Sequence, residues 1–262
     1  MLILPTLLAA LLYAVASFLQ WQILQGKRQQ PRTINQLLGW AGFASHTVAA
    51  YALLHQAEGI HLGFFAMGSL VSWLVVAIVL LSSIRQAIDN LFIGVFPIAL
   101  MATLVAGFIP EESIARNYDG GLITHILLSV LAYSILTLAV LQAVLVSRQH
   151  SALKHHHTRG LVSSLPPLQT MDRLLFEMIW SGEILLTAAL VSGFIFVDDL
   201  FAQHLLHKTA LSLLAWVLYA TLICGRLFFG WRSHTATRWT IGGFILLALA
   251  FFGSKLVLEW LL

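Results

Sequence analysis

The sequence predicts an all-α polytopic membrane protein of eight transmembrane helices, with both termini on the outer side. Three observations lead there. Of 262 residues, 59% are hydrophobic and only 10% charged, against about 45–50% and about 25% in soluble domains. The apolar residues gather into runs that each approach the about 20 residues needed to cross a bilayer. The basic residues fall mostly on alternate connections. The same composition excludes a disordered chain, and the single cysteine, Cys224, excludes a disulfide scaffold. Eight crossings use roughly 170 residues. The remainder is too little for a soluble domain of about 100 residues beside the loops, so residues 1–262 read as one integral membrane domain with a cytoplasmic linker at 148–176.

The first run, 2–24, has no charge before Lys27 and no short apolar core, so it reads as a retained span and not a cleaved signal. After the break Gly26 to Pro31 comes 35–57, and after Glu58 to Gly63 comes 62–83. The fourth run, 91–109, carries Gly94 and Pro97 and is expected to kink; neighbouring helices can re-satisfy the backbone that a proline frees. Pro110 to Gly120 separates it from 121–147. The stretch Arg148 to Arg173, with Pro166-Pro167, precedes 177–197, and the runs 207–229 and 239–262 complete the set.

Lysine and arginine are retained on the cytoplasmic face. An outer amino terminus puts Lys27, Arg28, Arg32, Arg85, Arg148, Lys154, Arg159, Arg173, Arg226, Arg232 and Arg238 there, 11 of the 14 basic residues. Arg116, Lys208 and Lys255 remain outside with Glu58, Glu111, Glu112, Asp119, Asp198, Asp199 and Glu259. The basic runs are short and scattered, which fits anionic lipid and argues against nucleic acid.

Ionisable groups inside the hydrocarbon region are costly and mark either packing locks or function. His46 lies halfway along the second run, on a face with Gly39, Gly42, Ala49 and Ala50 that allows close approach. It suits an interhelical hydrogen bond and an iron ligand equally. His125 opens the fifth run, with Ser129 and Tyr133 below it at helical spacing. His207 opens the seventh, followed by Lys208, Ser212, Trp216 and Tyr219. Two histidines at helix mouths can serve as axial ligands of a metal macrocycle or lie solvated among headgroups. Glu183, inside the sixth run, has to be paired, with Lys208 or a histidine, or protonated. Lys255 snorkels and can pair with Glu259. His155, His156 and His157, with His150, form either a metal tract or a solvated loop. No GxxxxGK[ST], HExxH, CxxC or GxSxG motif is present, so no catalytic constellation is visible and no enzyme is expected.

His46 in the second span, the run His125 to Tyr133, the run Lys208 to Tyr219, the Pro166-Pro167 linker and the closing Ala248 to Lys255 run together resemble the cytochrome c assembly membrane family. That is the CcsA, CcmC and HemX-like group, with its YpjD branch of bacterial inner membrane proteins as the nearest pattern. The resemblance implies a multi-pass inner membrane protein with periplasmic termini that handles haem and works with other cytochrome c assembly components. It implies His125 and His207 as outer haem ligands and His46 as an inner one. On the family pattern a second inner histidine falls near Cys224, and the short Asp198 to Leu206 connection lacks the family's tryptophan-rich loop. By themselves the residues also leave open a small-molecule transporter using the two polar ridges and Glu183, and a scaffold or regulator of haem synthesis without a ligand.

Overall fold

The computed structural model describes residues 2–27, 31–56, 59–86, 88–109, 119–155, 165–196 and 203–253. Eight helices long and apolar enough to cross a membrane follow one another. They are α1 (Ile3–Leu24), α2 (Arg32–Leu54), α3 (Phe64–Arg85), α4 (Phe92–Phe108), α5 (Gly120–Lys154), α6 (Leu168–Phe196), α7 (Gln203–Phe229) and α8 (His234–Ala248). A 3-10 turn, Asp89–Leu91, leads into α4, which runs on through Pro97. A π-helical turn, Leu249–Gly253, continues α8.

The helices outrun the apolar stretches where charged residues follow them. α5 continues to Lys154 and α6 starts at Leu168, directly behind Pro167, whose carbonyl accepts from the Thr170 and Met171 amides at 2.9 and 3.1 Å. Hydropathy marks where a helix meets the bilayer; a charge there does not end the helix, whereas a proline at its start suits it. Most of the 148–176 linker is therefore helical. The second helix ends earlier than its apolar run, at Leu54, where β1 (His55–Gln56) pairs antiparallel with β2 (Gly59–Ile60), His55 facing Ile60. Arg28, Glu58, Glu111, Glu112, Arg116, His156, His157, Arg159, Asp198, Asp199, Lys255 and Glu259 lie outside the described residues.

Within the membrane domain the chain forms two compact units, 1–117 with 152–166, and 118–151 with 167–262. In the first, α1 packs on α2 and α4, and α3 packs on the same two helices. Its centre is aromatic: Tyr13 stacks on Phe96 at 5.5 Å and Phe96 on Phe92 at 4.8 Å. Glycines on α2 make room, since a Cβ at Gly39 would come 2.8 Å from Phe96 and one at Gly42 2.8 Å from Tyr13. Arg32 ties the start of α2 to the α3–α4 turn, pairing with Asp89 at 2.6 Å and donating to the Ser83 and Gln86 carbonyls.

In the second unit α7 packs on α6 and α8. α5 is joined to them by hydrogen bonds: Gln142 Nε2 donates to the Met171 carbonyl on α6 at 2.9 Å, and Thr237 Oγ1 of α8 donates to the Ala143 carbonyl at 3.1 Å. Near the start of α6 a buried carboxylate, Asp172, 5% exposed, meets Arg226 at 2.9 Å and Arg232 at 3.8 Å. Arg226 also lies over the Phe176 ring at 4.4 Å and donates to the Trp231 carbonyl. Two arginines read from the sequence only as cytoplasmic anchors thus hold α6 to the α7–α8 connection.

Candidate functional site

His46 is completely buried in the first unit, and every helix of that unit reaches it. Its Nδ1 faces the Tyr13 hydroxyl of α1 at 3.3 Å, and its Nε2 faces Ser69 Oγ of α3 at 3.0 Å and Thr103 Oγ1 of α4 at 3.1 Å. The network assigns the protons. Thr103 already donates its hydrogen to the Ala99 carbonyl at 2.6 Å, so toward His46 it can only accept. Nε2 therefore carries the ring proton, and Nδ1 of the neutral imidazole accepts from Tyr13. Both nitrogens are engaged. The small-residue face beside His46 is occupied by Tyr13 and Phe96, so this arrangement offers neither a free lone pair nor room for a macrocycle.

His125, one turn inside α5, is arranged differently. Its Nδ1 lies 2.9 Å from the Ala189 carbonyl and 3.2 Å from Ser192 Oγ. Ser192 donates its own hydrogen to the same carbonyl at 2.8 Å. A carbonyl only accepts, so Nδ1 is the protonated nitrogen and the lone pair sits on Nε2, which has no hydrogen-bond partner among the described residues. Histidines that bind metals characteristically donate their other ring N–H to a carbonyl or carboxylate in this way, which fixes tautomer and ring orientation. Gly193 gives the ring its place: a Cβ there would come 3.0 Å from His125 Cε1. Ser129, one turn below, bonds the His125 carbonyl. Among the candidates, His125 fits a haem iron.

His207 is exposed in the first turns of α7. Its level follows from the antiparallel register of α6 and α7, which the bond from Trp216 Nε1 to Thr187 Oγ1 at 2.9 Å sets. Counting outward from that pair brings His207 opposite Phe196. Phe196 lies beside Gly121, one turn of α5 outside His125. His207 thus stands about 6 Å further out along the helix axes than His125. Of the residues below it, Ser212 is half-buried, Trp216 holds α6, and Tyr219 is buried with its hydroxyl donating to the Thr240 carbonyl at 3.1 Å. Tyr133, below His125, donates to the Leu247 carbonyl at 2.6 Å, just before the π turn. The two ridges read from spacing are therefore largely interhelical ties.

Glu183 is 8% exposed, and neither carboxyl oxygen has a hydrogen-bond partner among the described residues. It forms no ion pair with Lys208. His150 meets His234 edge to face at 5.3 Å, and His155 is exposed. Among the described residues no group of three or more histidine, cysteine, aspartate or glutamate side chains could hold a metal ion. Cys224, near the family's second inner position, is exposed on α7.

Sequence reasoning does not find Tyr13, Ser69 and Thr103, nor the pairing of His125 with Ala189 and Ser192. Their one signal is general: a hydroxyl in an apolar span needs a partner. Nothing in one sequence says which.

The sequence matches the family model described as "Cytochrome C assembly protein" over residues 34–262. The chain therefore belongs to the cytochrome c assembly family. It is 30% identical over 201 residues to "Inner membrane protein YpjD" of Escherichia coli K12, covering 76% of each chain. It is 28% identical over 237 residues to an "Uncharacterized 28.8 kDa protein in nifR3-like 5'region" of Azospirillum brasilense, covering 86% of this chain and 84% of that one. It is 26% identical over 117 residues to "Cytochrome c biogenesis protein CcsA" of Prochlorococcus marinus, covering 42% and 37%. No solved structure matches it.

Proposed function

We propose that the protein is a non-enzymatic, haem-handling component of cytochrome c biogenesis in the bacterial inner membrane, with His125 as the principal iron ligand. Family membership supports a haem-handling role of this kind. The inner membrane follows from the eight spans together with the name of the relative YpjD. The observation that carries the ligand assignment is the bond from His125 Nδ1 to the Ala189 carbonyl, which leaves Nε2 open. A bound haem would supply an iron able to accept that lone pair.

His207 is the second outer candidate, one turn further out. It would help to hold a haem only where the haem reaches beyond the His125 level, or together with a partner's ligand there. His46, in this reading, locks the first unit and leaves the iron to the outer end. The positive-inside distribution supports a periplasmic position for the His125 end.

The test is haemin titration of the protein in mild detergent. The wild type gives a Soret band, and Ser192→Ala, which removes part of the hold on the ring, weakens binding by about ten-fold, the lower end for lost outer-shell partners. A protein that is colourless as purified and fails to bind added haemin refutes the reading.

A further inference from the structure

Glu183 lies in α6 about 9 Å of helix inside the start of the apolar run at 177 and about 21 Å from its outer end. Hydrogen bonds and glycine contacts fix which residues share its level. The α6–α7 register set by Thr187 and Trp216 brings Tyr219 to its level, and the Ala189–His125 and Gly182–Leu136 contacts bring Tyr133 there from α5. Each tyrosine has committed its own proton to an α8 carbonyl, Tyr219 to Thr240 and Tyr133 to Leu247. Their oxygens therefore have only acceptor capacity left to offer.

The charges at other levels are accounted for elsewhere. Arg226 on α7 is paired with Asp172, and Arg238 on α8 is exposed, two residues from buried Thr240 and so on the opposite side of the helix. His125 is two turns outward on α5. A buried carboxyl at the level of two tyrosines, with no donor and no counter-charge among the described residues, cannot remain an anion without a cation to meet it.

We propose that Glu183, with Tyr133 and Tyr219, forms a proton-binding site within the membrane span that is reached from the His125 end of the second unit. A run of polar groups leads outward from the site on that side. One turn outward, Thr187 bonds the Glu183 carbonyl and accepts from Trp216, and Ser192 with His125 follows about 7 Å beyond. Toward the other end, Ile179, Leu138 and Leu222, each essentially unexposed, and Leu175 behind them form an apolar layer between Glu183 and the buried Gln142, Thr237 and Asp172. Loading adds one proton to a carboxylate oxygen, and unloading returns it along the same side. The site is independent of whether haem binds.

The test uses the full chain without haem. N,N′-dicyclohexylcarbodiimide takes up the O–H of a protonated carboxyl across its N=C bond and leaves a stable acylurea, located by peptide mass mapping. The label is expected on Glu183 and absent from exposed Glu177, which pairs with Arg173 at 3.5 Å. Infrared spectra are expected to show a protonated-carboxyl band that shifts in deuterium oxide and is lost in Glu183→Gln. Should that variant misfold, labelling of the wild type decides alone. In vesicles, Thr187→Val is expected to slow deuteration of the band by ten-fold or more. Absence of both label and band overturns the proposal. Protection from labelling by sodium at constant pH overturns the proton in favour of a metal cation, and unchanged exchange in Thr187→Val overturns the access route.

Discussion

Replacing His46 with alanine separates a lock from a ligand. In the wild type one imidazole joins α1, α2, α3 and α4 through Tyr13, Ser69 and Thr103. The substitution orphans the fully buried Tyr13 hydroxyl, at about 1–3 kcal/mol for an unsatisfied buried donor. Thr103 keeps its proton on Ala99 and loses little. The emptied imidazole volume adds about 2 kcal/mol, the low end for buried large-to-small changes. Interhelical hydrogen bonds in membranes average only about 0.6 kcal/mol, so the lower part of the combined range applies, about 3 kcal/mol. At about 2–4 °C per kcal/mol for a chain of this size, the thermal midpoint falls by about 6–12 °C. Tyr13→Phe alone costs about 1 kcal/mol, the ordinary value of one hydrogen bond, and in the double variant the two losses do not add. Thermal unfolding in detergent gives the midpoints, and haemin titration of the same samples gives affinity, which is expected to stay within about two-fold of wild type. Loss of haemin binding with an unchanged midpoint would refute the lock and restore His46 as a ligand.

Two further substitutions test the second unit. Gly193→Val places a branched side chain where even a Cβ would approach His125 Cε1 at 3.0 Å. The ring is expected to leave the Ala189 carbonyl, and haemin affinity to fall by about 10–100-fold as for lost outer-shell support, with circular dichroism unchanged. Arg226→Met leaves Asp172 with only the longer contact to Arg232. Stability is expected to drop by about 3 kcal/mol, as when a buried pair loses one partner, measured as a lower midpoint, while the Soret band of the folded fraction is retained.

The eight spans were legible because hydrophobic length is a local property and the bilayer fixes the scale. The helix ends were less so: Arg148 to Lys154 and Leu168 to Phe176 are helical although charged residues take them out of the apolar run. For the candidate site, spacing singled out histidines but could not rank them, because the difference lies in long-range partners. His46 and His125 are both single histidines in apolar helices. One has both nitrogens spent on hydroxyls from three other helices, and the other is held by a carbonyl 64 residues away with its second nitrogen open. Glycines 39 and 42 did mark close approach, as read, but what approaches is Tyr13 and Phe96. The polar ridges below His125 and His207 were legible as stripes, and their role as ties to Leu247, Thr187 and Thr240 was not.

The central claim, that haem iron is taken by the Nε2 of His125, is tested most directly by haemin titration of His125→Gly with and without free imidazole. The account predicts that the variant folds, loses haemin binding by about 100-fold or more, and regains the Soret band when imidazole fills the vacated place. A variant that binds haemin as the wild type does, with no response to imidazole, would contradict it.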